Sequence, residues 1–327
     1  MTPRPGEEGT ALLTVLLLVA VIATIAATVL DRVGIATRLA GNVAAVAQSR
    51  AWLGTAEALT MARIEALIAA DGTRTTTAGN WMGVERTVTL PDGSVARAKV
   101  ADGGNCFNLN SLVEERGGGL LVARERGARQ FAALMRVLGV QSGEAEKIAD
   151  MTADYIDSDG TPLRLGGEDS AYSGSAAGLP ANQLMADPSE LRAVAGVTPR
   201  DYQLLRPWIC ALPTTDMSPI NINTLLPEQA PLLSMLVPDV LDLSRARTVI
   251  ASRPADGYEA VIDFWKSPAL EGLPVAPEAS QQVRLKTDFF AMEAIVRAGN
   301  VDVRESALID AREKPARIVA RQWGEAS

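Results

Sequence analysis

Residues Thr10 to Leu30 read TALLTVLLLVAVIATIAATVL, an apolar run without a charged side chain. As a helix rising about 1.5 Å per residue it reaches about 30 Å, the thickness of a bilayer's hydrocarbon core. A cleaved secretory signal is the rival reading, but its apolar stretch usually covers only about 7–15 residues. Arg4 and the N-terminal amine precede the run. They hold the short leader on the cytoplasmic side and send the remainder of the chain across the membrane. The run is therefore expected to be a single-pass anchor.

The helical pattern does not stop at Leu30. No proline occurs from Asp31 to Ala70, and Val33, Ala36, Val43, Val46, Trp52, Leu53, Leu59, Ile64 and Ile68 recur at helical intervals. Arg38, Arg50, Glu57, Arg63 and Glu65 fall among them. The spacing predicts one long helix, apolar first and amphipathic afterwards. The alternative is an anchor, a break and a separate core helix, since helices beyond about 25 residues need a reason to persist.

Composition limits what the rest can do. The 327 residues contain no histidine, which removes the usual general base near neutral pH and histidine-ligated zinc. The formal net charge of -8 disfavours a nucleic-acid partner, whose phosphates need a basic face. No nucleophile–base constellation is visible, so an enzyme is not expected. The two cysteines, Cys106 and Cys210, cannot make a four-ligand zinc site. They could bridge in an oxidising compartment or sit as two small apolar residues in a reducing one.

Beyond the helix, Val84–Leu90 and Ser94–Val100 alternate in polarity around Pro91-Asp92-Gly93, a hairpin pattern. A short internal repeat follows: Phe107-Asn108-Leu109-Asn110-Ser111-Leu112 is echoed by Ile220-Asn221-Ile222-Asn223-Thr224-Leu225. Each copy can place apolar side chains in a core and is followed by a helix with a capping Asn, Ser or Thr. Two independent capped helix starts would look the same. If the copies run side by side, the cysteines ahead of them come close and a disulfide is expected. Between the copies the stripes Phe131-Leu134-Met135-Leu138 and Ile148-Met151-Thr152-Tyr155 predict helices, and strand character returns over the last 40 or so residues. This order predicts an α+β fold.

Several motifs carry a family resemblance. They are a polar leader ending in Gly9, GNCFNLN at Gly104–Asn110, DYIDSDGTP and GGEDSAY within Asp154–Tyr172, and ININTL at Ile220–Leu225. In this order they resemble the type II secretion minor pseudopilins of the K type along nearly the whole chain. The resemblance implies a pilin-like α+β fold: a long N-terminal helix packed on an antiparallel sheet, with a large inserted, mainly α-helical domain. It implies a leader over residues 1–9, cut by a prepilin peptidase between Gly9 and Thr10, and a membrane part over 10–30. The pilin-like domain would take 31–118 and 213–327, and the insertion 119–212, or about 285 if the later helices join it. The fifth mature position would be Thr14, where most pilins carry a glutamate; a buried carboxylate in lipid needs a partner, so its absence removes a docking constraint. The implied role is capping or priming the tip of a periplasmic pseudopilus for protein export. The implied partners are the minor pseudopilins I and J, and also H, in the inner membrane, with exported proteins or the outer-membrane secretin as further contacts.

Asp154, Asp157, Asp159, Glu168 and Asp169 gather around a loop rich in glycine. Carboxylates and carbonyls of this kind suit a hard cation, and Asp157 to Glu168 matches the first-to-last spacing of an EF-hand. Pro162 stands where that loop needs glycine, so it is not an EF-hand. A solvated acidic loop with helix-capping aspartates is the other reading. The family resemblance implies structural calcium held by Asp157, Asp159, Glu168 and Asp169. One stretch of the sequence supports a different function. Leu191–Val197, loosely repeated at Gly257–Phe264, looks like half of a helix-hairpin-helix, so a membrane-tethered DNA-binding protein is the alternative, against which the acidic balance tells.

Overall fold

The computed structural model describes residues 7–173, 178–298 and 301–324. Residues 1–6 of the expected leader lie outside the described residues. Among these the elements run α1 (Glu7–Ala70), β1 (Arg86–Thr89), β2 (Val95–Asp102), β3 (Phe107–Asn108), β4 (Val113–Arg116), β5 (Leu120–Ala123), α2 (Glu125–Val137), α3 (Ser142–Ile156), α4 (Pro199–Leu205) and β6 (Ile209–Cys210). There follow β7 (Ile220–Asn221), α5 (Ala230–Ser234), α6 (Leu243–Ala251), α7 (Val261–Trp265), α8 (Pro277–Gln282), β8 (Val283–Arg284), β9 (Phe289–Ala298), β10 (Val301–Asp310) and β11 (Arg317–Trp323).

The anchor and the amphipathic segment are one unbroken helix of 64 residues. At about 1.5 Å per residue that is a rod of about 95 Å. It ends where Asp71-Gly72 turns the chain; Asp71 accepts the Thr73 and Arg74 amides at 2.9 and 3.2 Å. The membrane-distal half packs on the antiparallel sheet, whose order is β1-β2-β9-β10-β11. Helical spacing brings Leu53, Ile64 and Ile68 onto Phe290, Met292, Ala294 and Val296 of β9 and Ala307 and Ile309 of β10. Burying each large apolar side chain contributes roughly 1.5–3 kcal/mol. The β1–β2 hairpin closes at Gly93, whose φ of 82° needs glycine, and Trp52 of α1 donates to Asp92 in that turn at 2.8 Å.

The neighbours β2 and β9 are joined by residues 103–288. Buried side chains from Phe107 through Val283 share one apolar core, and the sheet takes up again only at Phe289. The boundary expected near 212 is thus not marked by a change of core, and residues 213–288 pack with the helices. The root of this inserted body lies beside the membrane-distal end of α1. Thr75, just past that end, donates to the Leu285 carbonyl and accepts the Thr287 amide.

The asparagine repeat does not pair copy against copy. Instead β3 runs parallel to β6, and β7 parallel to β8, so each copy pairs with its own returning strand. The four asparagines are fully buried, as the apolar residues between them are. Burial is tolerable because each side-chain amide both accepts and donates a hydrogen bond, since an unpaired buried polar group costs about 1–3 kcal/mol. Asn110 accepts the Met185 amide at 2.8 Å and donates to the Met185 and Leu212 carbonyls. Asn223 likewise accepts the Tyr258 amide at 2.7 Å and donates to the Tyr258 carbonyl at 3.0 Å. Asn108 and Asn221 each accept the amide two residues on, at 3.2 and 2.9 Å. The copies are wired alike, each fastening the start of a later hairpin to its own strand.

Candidate functional site

Two surfaces carry chemistry. The first is the bare half of α1. Every residue from Thr10 to Ala44 is exposed, including Leu12 to Leu30 and, beyond the expected span, Val33, Ile35, Leu39 and Val43. So much contiguous apolar surface marks a place that lipid or protein covers. The helix is long and apolar enough to cross a membrane. Thr14 turns its hydroxyl back on the helix, donating to the Thr10 and Ala11 carbonyls at 3.0 and 2.8 Å. It presents no charge to a neighbour. Gly9 and Thr10 lie within the continuous helix.

The second is the acidic loop. Asp154 occupies the last turn of α3 and Asp157 caps it, so the three-residue spacing stacks both carboxylates at one helix end. The chain then folds back through Thr161 to Gly167. Leu163 donates its amide to Asp154 at 3.0 Å, and Leu165 donates to Asp150 at 3.1 Å. Gly166 passes so close that an added Cβ would lie 2.0 Å from an Asp154 oxygen, so the turn requires glycine. This brings Glu168 over the pair. One oxygen each from Asp154, Asp157 and Glu168 lie within 4.8 Å of one another. A Ca²⁺ ion bound at about 2.4 Å spans at most about that distance between opposite ligands, so the three oxygens fit around one such ion. An all-oxygen set suits a hard cation.

Asp157 Oδ1 and Glu168 Oε1 are buried with no hydrogen-bond partner, so their lone pairs face the cluster unused. Burial, followed by the charges of its acidic neighbours, pushes Asp157 up to about 7. Burial likewise pushes Asp154 up to about 6. Glu168 is raised by burial and by Asp159 and Asp169. Three carboxylates held this way must take up protons or a cation.

Of the four expected ligands, the structure brings Asp157 and Glu168 together. Asp159 is half-exposed and accepts the Thr161 amide at 2.8 Å, and Asp169 is exposed at the start of a 3-10 turn. Neither joins the cluster; both act on it through their charge. Asp154 takes the third place instead. Its spacing from Asp157 and the glycine pair were the signals for it. The cysteines form a disulfide with Cα atoms 5.8 Å apart, because β6 lies directly beside β3. The hairpins resembling helix-hairpin-helix halves spend their amides internally: Ala195 donates to the Tyr172 hydroxyl and Tyr258 to Asn223.

Two sequence profiles described as type II secretion system (T2SS), protein K match residues 105–214 and 220–286. These ranges begin at the two asparagine copies and end just past their returning strands. Type II secretion system protein K of Pectobacterium carotovorum is 32% identical over 98% of both chains. That of Aeromonas hydrophila is 33% identical over 97% of both. A chain of the GspK–GspI–GspJ complex from the type 2 secretion system of enterotoxigenic Escherichia coli superposes with a TM-score of 0.73 at 30% identity. That match covers 85% of this chain and 96% of the other. With nearly the whole length matched at this identity, the chain belongs to the type II secretion system protein K family.

Proposed function

We propose that the protein is a minor pseudopilin that caps or primes the tip of the periplasmic pseudopilus, working with small pseudopilins of the I and J type. One observation carries this: a rod whose membrane-proximal half is bare and apolar bears a large inserted body rooted at its other end. Fibres built from parallel helices would cover the bare half. The body is too large to repeat at every step of such a fibre, but it can be accommodated at the end. Thr14 supports the same reading, since a subunit without a carboxylate there lacks one contact for insertion among neighbours. The complex of the enterotoxigenic relative with GspI and GspJ supports the choice of partners. The leader would be cut between Gly9 and Thr10, the helix would rest in the inner membrane before assembly, and the body would lie in the periplasm.

Calcium has a structural part in this reading. Asp154, Asp157 and Glu168 would hold it, with Asp159 and Asp169 adding negative charge. The ion would neutralise the crowded carboxylates and fix a loop that has few apolar anchors. Gold labelling of the body in pseudopili drawn from cells is the test: label at one end only is expected, and label along the shaft would refute the tip role.

A further inference from the structure

We propose that Glu57 and Glu305 share one proton, making an alkali-sensitive latch that holds the sheet to the long helix. Glu57 sits on the face of α1 that meets the sheet, four residues after the buried Leu53. Glu305 points at it from β10 and is 2% exposed. Arg321, on the neighbouring β11, donates to the two oxygens of Glu57 at 2.5 and 2.7 Å. Its Nε stays 3.5 Å from Glu305, too far for a good hydrogen bond. Both oxygens of Glu305 are buried without a well-formed hydrogen bond, and the groups that reach them are the Glu57 carboxyl and, at the longer distance, the Arg321 guanidinium.

Two ionised carboxylates are both acceptors and repel, so a hydrogen bond between them requires a proton on one. The guanidinium decides which. Its two-pronged contact keeps Glu57 ionised, and Glu305 carries the proton and donates. One arginine, one carboxylate and one neutral acid then leave no net charge at the joint. Among the described residues, Arg321 is the charged side chain that acts on the pair. The β9 residues on that face are Met292, Ala294 and Val296, β2 supplies Ala96 and Ala98, and β10 adds Val303 and Ala307. Arg50 of α1 is engaged over the Trp323 ring at 5.3 Å.

The titration agrees with the geometry. Burial, and then the adjacent Glu57, push Glu305 up to about 8 from 4.5. Glu57 is held below the usual range: burial opposes this, and the hydrogen bonds to Glu305 and Arg321 outweigh it. An acid raised in the folded state stabilises at low pH, and that contribution is lost as pH climbs through the folded value. The Glu305 contribution is thus complete below about 4.5 and gone above about 8. Because α1 continues from this joint toward the membrane, opening the latch would weaken the sheet's hold on its stalk, which the apolar contacts of Leu53, Ile64 and Ile68 would then carry. The inference does not rest on the tip role.

The test compares the full chain with Glu305→Gln in detergent micelles. The amide can donate to Glu57 at any pH, so the variant should not titrate. The folding constant of the native chain relative to Glu305→Gln is expected to fall about tenfold per pH unit between about 5 and 8. Hydrogen-exchange protection of residues 53–64, compared at matched pH, should fall with it. A ratio independent of pH overturns the proposal. If Glu305→Gln does not accumulate, Glu57→Gln carries the test: Arg321 is then free to pair with ionised Glu305, and the loss between about pH 5 and 8 should disappear. Persistence of that loss in Glu57→Gln would overturn the latch.

Discussion

The membrane-proximal half of α1 and the inserted body solve opposite problems. From Thr10 to Ala44 the helix satisfies its backbone internally and leaves its apolar side chains bare. The body does the reverse, burying even Asn108, Asn110, Asn221 and Asn223 and finding each amide a partner within the chain. The helix is incomplete without an outside surface, whereas the body completes itself. The difference separates the residues that serve assembly from those that serve folding.

Substitutions can break this contrast. The largest loss of stability is expected for Asn223→Ala, which strands the buried Tyr258 amide and carbonyl and should cost roughly 2–6 kcal/mol in denaturant unfolding. Asn110→Ala should do the same through Met185. A cost under about 1 kcal/mol would mean that water replaces the amides and the body is less closed than described. Next is Leu53→Ala, where α1 first enters the core: about 2–5 kcal/mol is expected from the lost contacts and the cavity.

The acidic loop should respond through calcium. Protons compete for Asp157 and Asp154, whose carboxyls titrate near about 7 and 6 without the ion. Calcium affinity measured calorimetrically should therefore fall about tenfold, about 1.4 kcal/mol, from about pH 7.5 to 6. The sign reverses without calcium. Raised carboxyls favour the folded state at low pH, so the metal-free protein should lose stability as pH rises through about 7. Asp154→Asn should weaken binding strongly and Asp169→Asn little; the opposite ranking would restore the ligand set expected from sequence. The smallest effect on folding, within about 0.5 kcal/mol, is expected for the exposed Leu39→Ala, although recovery of partner pseudopilins should drop.

Legibility in the sequence followed the same divide. The rod was readable because its period and its lack of proline are local properties, and so was the Pro91-Asp92-Gly93 hairpin. The asparagine copies were visible as a repeat, but their partners were not: Met185 and Tyr258 lie tens of residues away, and nothing local names them. A strand of two residues has too little pattern to show which strand it joins, so β3 beside β6 could not be foreseen. At the acidic loop the residue types pointed to a hard cation, yet the family resemblance implied Asp159 and Asp169 among its ligands. The close passage at Gly166, which selects Asp154, exists only once the loop has folded back.

The central claim is that the bare stretch of α1 is covered by the helices of sister subunits. A photo-crosslinking side chain placed at Val43 of the full chain, in cells with an assembled secretion machine, tests it most directly. Adducts with the N-terminal helices of the small pseudopilins are predicted. Adducts with lipid alone, from a chain whose body still co-purifies with those subunits, would contradict it.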